Sequence, residues 1–158
     1  MISNKIEIKE ENIKNFLDEM KPILSLHWDE VAVHKGSIKL NPDYEKYLQL
    51  EEDGSLKSFI ARKDGEVIGY AVFLLANNLH YSDHIYAHND VVYLEKSHRG
   101  SGLAVELFKY SESVLKESYS VDVVNVSMKV AFPFDDLMEH LGFDCIERTY
   151  SKFIGEAK

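Results

Sequence analysis

Hydrophobic and polar positions follow two rhythms along this chain. Ile6 and Ile8 alternate with charge over Lys5 to Lys9, which predicts a first strand. From Glu10 to Met20, the residues Ile13, Phe16, Leu17 and Met20 fall on one side of a helix. Pro22 interrupts that helix or starts another turn. Leu24, Trp28 and Val31 then resume at i, i+4 and i+7, with Trp28 expected in the core, and Gly36 ends the segment. Asn41-Pro42-Asp43 is a turn and cap signal before a short helix over Tyr44 to Leu50. Leu56 to Arg62, the tight turn Lys63-Asp64-Gly65 and Val67 to Leu75 read as a hairpin. Beyond it, Leu79, Tyr81, Ile85 and Ala87 suggest extended chain with a turn at Ser82-Asp83. The strand from Val67 is then expected to run to about Tyr81, and the next from about Ile85 to Glu95.

The stretch from Val91 to Lys116 organises the rest. Val91, Val92, Tyr93 and Leu94 form a β-branched and aromatic run, a strand signal. His98 to Gly102 is a turn with two glycines. From there Leu103, Leu107 and Val114, with Ala104, Phe108 and Leu115, have helical spacing and one buried face. Val121, Val123, Val124, Val126 and Met128 predict a nearly continuous apolar strand of the central parallel kind. Pro133 precedes a short helix over Phe134 to His140, Gly142 is a C-cap, and Phe143 to Ile154 is expected to form a last strand or pair of strands. The expected order is β-α-α-β-β-β-α-β-α-β in one domain over residues 1–158, with no internal repeat or linker.

A strand, a glycine turn and a helix in succession can hold an anion. The first turn of a helix has backbone N–H groups without partners, and its dipole is positive there. Glycines at 100 and 102 let that backbone approach a ligand, and Arg99 adds positive charge, a combination suited to a phosphate or pyrophosphate. The pattern G-x-x-x-x-G-K-[S/T] is absent, as is G-x-G-x-x-G, so neither a P-loop nor a dinucleotide turn is indicated. What stands here is Arg99-x-x-Gly102-x-Ala104. An ordinary strand-to-helix turn could carry the same glycines, so the motif gains weight only from its context.

That motif resembles the R/Q-x-x-G-x-G/A acetyl-CoA loop of the GNAT N-acetyltransferase superfamily. Two further stretches resemble the family in the correct order. Val67-Ile68-Gly69-Tyr70 is similar to its central hairpin, and Leu137 with Gly142-Phe143 to its C-terminal L-Y-x-x-x-G-F motif. The H-W-D-E helix, the N-P-D-Y turn and the L-H-Y hairpin resemble a branch common among bacteriophages and prophages. The resemblance implies an α/β (α+β) fold. Its central twisted sheet is mixed and mostly antiparallel, flanked by helices, with a splayed parallel strand pair. It also implies direct transfer of acetyl from acetyl-CoA, a co-substrate, to an amine. Carried over by position, Arg99, Gly100, Ser101, Gly102, Leu103 and Ala104 would surround the pyrophosphate, and Leu94 would offer backbone hydrogen bonds to the pantetheine arm.

Such chemistry needs a neutral amine, and a free alkylamine titrates near ~10.4, so a base must take its proton. The family often places an acidic residue early on the strand before the loop, where Asp90 stands here. In extended chain His84, His88 and Asp90 share one face, so His88 or Asp90 is the candidate base, and Glu95 on the other face is a weaker one. The family's tyrosine acid is missing: Met138 takes its place, and a thioether cannot donate a proton. Tyr150, Tyr93 or water is left to protonate the leaving thiolate. Ala131 also stands where many members have asparagine. A catalytically degenerate fold that binds CoA or a protein is therefore the alternative.

Composition narrows the partners. A formal net charge of −9 argues against broad nucleic-acid binding and favours cationic acceptors, small amines or protein amines. No stretch approaches the ~20 apolar residues of a membrane span, and the N-terminus lacks an apolar signal core. The single cysteine, Cys145, excludes an internal disulfide, fits a reducing cytoplasm, and is expected as a small core residue of the last strand. A homodimer is compatible with these features. His80, His84 and His88 would face one way on a helix and could then bind zinc. In extended chain they spread over ~26 Å at ~3.3 Å per residue, so no metal is expected. His27-x-x-Glu30 reads as a solvated helix face, or as part of an acceptor groove.

Overall fold

The structure is a computed structural model, and residues 5–156 are described. Five strands form one sheet in the order β1-β2-β3-β4-β5. They are β1 (Ile6–Glu10), β2 (Leu56–Lys63), β3 (Glu66–Asn77), β4 (Ile85–Leu94) and β5 (Val123–Asn125). The first four pair antiparallel, while β4 and β5 are parallel. The helices are α1 (Ile13–Val31), α2 (Tyr44–Glu52), α3 (Leu103–Tyr119) and α4 (Asp135–His140). A two-residue turn closes the β2–β3 hairpin. Asp64 and Gly65 both have positive φ (51° and 90°), as a right-twisted hairpin requires.

Each face of the sheet buries its own core. On one side Ile13, Phe16 and Met20 of α1 close over Leu56, Ile60, Tyr70 and Val72, with Tyr44, Tyr47 and Leu48 of α2 packed against them. On the other, Leu107, Phe108 and Leu115 of α3 cover Phe59, Ala71, Phe73 and Ala87, and Met138 of α4 completes the cluster. The period-2 and period-3.6 patterns therefore meet across both faces.

Several boundaries depart from the expectations. Pro22 does not break α1, because the buried stripe from Ile13 to Met20 continues on its far side through Ile23 and Leu24. Strand β3 stops at Asn77, not Tyr81. Asn78 folds the chain by accepting the backbone N–H groups of His80 (2.8 Å) and Tyr81 (3.2 Å) on its side chain. The strand expected over Val121 to Met128 shortens to Val123–Asn125. Val126 and Met128 still pack on the core, but their backbone leaves β4. No strand forms over Phe143 to Ile154. Its apolar side chains find no sheet edge, so Ile146, Tyr150 and Ile154 stay 78%, 90% and 87% exposed. Cys145 is accordingly exposed and is not a core residue.

Candidate active site

The site is built around an irregularity in β4. Val72 opposes Val91 and Phe73 opposes Asn89, which leaves Asp90 without a partner across the β3–β4 ladder. Such a bulge re-aims side chains. Asp90 turns toward α2, where the hydroxyl of Tyr47 donates to its Oδ2. Asn89 lies on the opposite face and reaches across to the chain after β5. Its Nδ2 donates to the Ser127 carbonyl (3.1 Å), and its Oδ1 accepts from the Ser127 N–H (2.6 Å).

That amide is the last tie between the two parallel strands. Backbone pairing ends at His88 opposite Asn125. Beyond it a cavity of about 200 Å³ opens, walled by His27 and Val31 of α1, Asp90 and Val91 of β4, and Met128 and Phe134. A second space of about 200 Å³ lies beside α2, against Tyr47, Leu50 and Leu74. Asp90 belongs to the walls of both.

The far end of β4 leads into the glycine turn. A single 3₁₀ turn, Lys96–His98, is followed by Arg99 in extended conformation. Gly100 (φ 77°) and Gly102 (φ 87°) are left-handed, so glycine is needed for conformation; a Cβ on either would meet nothing within 4 Å. Gly102 is the N-cap of α3, and among the described residues no side chain caps it. The first helical bond runs from the Glu106 N–H to the Gly102 carbonyl (3.2 Å). The N–H groups of Leu103, Ala104 and Val105 therefore have no intrahelical partner, at the positive end of the dipole. Leu103 itself is buried with Ala61 and Ile68 and seats the helix start on the sheet, and Ala104 is half-buried. The Ser101 hydroxyl donates to the His98 carbonyl (2.6 Å) and tightens the turn.

Arg99 does not stand free. Its Nε donates to the Leu94 carbonyl (2.8 Å), and its two terminal nitrogens donate to the Glu30 carboxylate (2.7 and 3.2 Å). The Arg99 hydrogen bond holds the Glu30 carboxyl below its ordinary value. Glu30 thus ties α1 to the loop, and the Arg99 charge is already matched. His27, one turn earlier, rests on the Tyr93 ring (centroids 5.5 Å apart), and burial pushes its imidazole below the ordinary value. Neither His27 nor Glu30 lies on a solvated face, so that expectation is corrected: both point inward, to the cavity and the loop.

Other sequence candidates lie apart. His88 is exposed, stacked on Tyr86 (centroids 6.3 Å), and lines neither space. Tyr150 is 90% exposed and lines neither. Met138 is core, 6% exposed. Tyr93 sits between His27 and the Arg99 guanidinium (6.0 Å from its ring), with its phenol pushed up by burial. Glu95 pairs with His98 (3.1 Å). His84 meets Asp122 (3.4 Å) and does not converge with His80 and His88. Among the described residues no three metal-ligating side chains converge, and no helix is long and apolar enough to cross a membrane.

Tyr47 and Asn89 were not singled out in the sequence. Tyr47 lies 43 residues before Asp90, and no local spacing links them. The one available signal was the repeat Tyr44, Tyr47, Leu48 on one helical face.

A bulged strand thus feeds an uncapped helix beside a parting parallel pair. Residues 18–143 match the acetyltransferase (GNAT) family model, and the chain belongs to that family. No curated protein matches it by sequence. Among solved structures it is similar to an aminoglycoside acetyltransferase, HMB0005, from an uncultured soil metagenomic sample. That match has a TM-score of 0.74 at 16% identity, over 96% of this chain and 99% of the other. It is also similar to a ribosomal-protein-alanine N-acetyltransferase from Brucella melitensis biovar Abortus 2308, with a TM-score of 0.69 at 20% identity, over 96% and 100%. A predicted acetyltransferase with acetyl-CoA from Clostridium acetobutylicum gives 0.69 at 14% identity, over 95% and 97%. These likenesses speak to the fold; the family is that of acetyltransferases using acetyl-CoA.

Proposed function

We propose that this protein transfers acetyl directly from acetyl-CoA to a primary amine, with Asp90 as the base. The observation that supports this reading is the single strand β4, which carries the carboxylate of its bulged residue Asp90 at the wall of the cavity and leads to the uncapped start of α3. The diphosphate would lie on the N–H groups of Leu103, Ala104 and Val105, with Gly100, Ser101 and Gly102 forming the turn and Arg99 its brace. The arm would run along the edge of β4 near Leu94, where β5 has pulled away.

An ammonium ion entering beside Asp90 gives up one proton to the carboxylate, directly or through water. The freed lone pair attacks the thioester carbonyl, the N–C bond forms and the C–S bond breaks. One hydrogen stays on the amide nitrogen, and the third goes to the thiolate. A thiol titrating near ~8.5 leaves as thiolate without a dedicated acid, so water can serve while Tyr150 stands in solvent. The acceptor is a small-molecule amine or a protein amine, and the acidic chain favours cations. An exposed, unpaired Cys145 suits a reducing cytoplasm.

The test is thiol release from acetyl-CoA against a panel of amines, alongside a thermal shift. Ligand at ~100 times its dissociation constant should stabilise by ~2.7 kcal/mol. Protein that binds acetyl-CoA but releases no CoA with any amine overturns the catalytic reading. It would favour a CoA-binding module without turnover, to which the buried Met138 in place of a tyrosine already gives some support.

A further inference from the structure

The hydrogen bond from Tyr47 to Asp90 joins α2 and β4, which no other side-chain hydrogen bond or ion pair among the described residues connects. Tyr47 is half-buried on α2, with its ring against the cluster formed by Ile13, Tyr70 and Val72. Its hydroxyl emerges from that cluster and meets the one residue of β4 that has no ladder partner. A bulged residue has fewer restraints than its neighbours, because no opposite backbone holds it. A phenol anchored in packed side chains supplies the missing restraint.

We propose that Tyr47 is the positioning residue of the acetyl transfer: it holds the Asp90 carboxylate by one oxygen and leaves the other to the incoming amine. The inference rests on the reading of Asp90 as the base. A hydrogen bond donated to a carboxylate oxygen is among the stronger ones, and it fixes where the second oxygen points. A carboxylate without that donor would be free to rotate, and a misplaced base costs rate far more than binding. The other titratable groups facing Asp90 are Asp43, the N-cap of α2, Lys46 of α2, His27 of α1, and Lys129 after β5. Tyr70 of β3 lies in the same cluster as Tyr47, its own hydroxyl buried without a partner among the described residues.

The test compares wild type, Tyr47→Phe, Asp90→Asn and the double variant, using the best amine from the thiol-release panel. Tyr47→Phe should lower kcat by about tenfold, the worth of one hydrogen bond to a charged group, with KM for acetyl-CoA unchanged. In the Asp90→Asn background Tyr47→Phe should cost nothing further. If Tyr47→Phe fails to fold, site-specific fluorotyrosine at position 47 keeps the shape and strengthens the donor, and kcat should then differ from wild type with KM for acetyl-CoA unchanged. An active enzyme whose kcat stays put in both, or equal losses in both backgrounds, overturns the role of Tyr47 and leaves the acetyl transfer standing. Wild type inert toward every amine overturns the transfer reading, and the positioning role with it.

Discussion

Strand β4 has two edges that behave differently. Toward β3 it pairs from Gly69 opposite Leu94 to Asn77 opposite Ile85, with one bulge. Toward β5 it pairs only from Tyr86 opposite Val123 to His88 opposite Asn125, and is then held by the Asn89 amide alone before a cavity opens. On the closed edge the backbone groups satisfy one another, and Phe59, Ala71 and Phe73 lie fully buried beside them. On the open edge the groups of β4 past Asn89 have no neighbouring strand, and buried backbone groups demand partners. The open edge thus leaves β4 without a strand partner, and there the Leu94 carbonyl takes the Arg99 Nε instead, while the closed edge carries the fully paired ladder.

The sharpest way to break this comparison is to damage each edge in turn. Phe73→Ala should cost about 3–5 kcal/mol of folding stability, whereas Val124→Ala on the half-buried β5 should cost about 1 kcal/mol. Denaturant midpoints measure both, and equal losses would contradict the division. Next in size, Gly102→Glu puts a carboxylate at the positive end of α3 and a side chain at φ 87°. Calorimetry should show acetyl-CoA affinity falling by at least about a hundredfold, with backbone strain costing about 1–3 kcal/mol of stability.

Asn89→Ala removes both bonds to Ser127 and should cost about 1–2 kcal/mol. Faster amide exchange at Ser127 would locate the loss at the start of the opening. The smallest effect belongs to Glu30→Gln. The Arg99–Glu30 pair is partly exposed, so its loss should cost no more than about 1 kcal/mol at neutral pH. Arg99 holds the Glu30 carboxyl below its ordinary 4.5, so the pair contributes fully above that value and fades as pH falls through the lower folded value. Wild type and variant should therefore converge in stability in acid, which denaturation at several pH values checks. The same variant frees Arg99 and should tighten acetyl-CoA binding a few-fold if Glu30 competes with the diphosphate.

Much of the fold was legible because its signals are local. The Asp64-Gly65 turn, the cap at Asp43 and the stripe Leu103, Leu107, Phe108, Leu115 each depend on residues a few positions apart, and each stands where the pattern placed it. The last segment misled because Phe143, Ile146 and Ile154 carry strand-like composition without a strand to pair with, and composition cannot report a missing edge. At the site, the glycine turn was legible as a motif. Arg99 was legible as charge but not as a charge already matched, since Glu30 is 69 residues away.

By itself, then, the amino-acid order determined the helices and the hairpin, the sheet-to-helix turn with its two left-handed glycines, and the family to which the chain belongs. The fold decided which carboxylate faces the cavity, which phenol steadies it, and which acid takes hold of Arg99. A dihedral preference or an apolar period is settled among neighbours along the chain. A hydrogen bond between Tyr47 and Asp90 exists only once a helix and a strand have packed, and one unpaired residue in β4 determines the direction in which that carboxylate points.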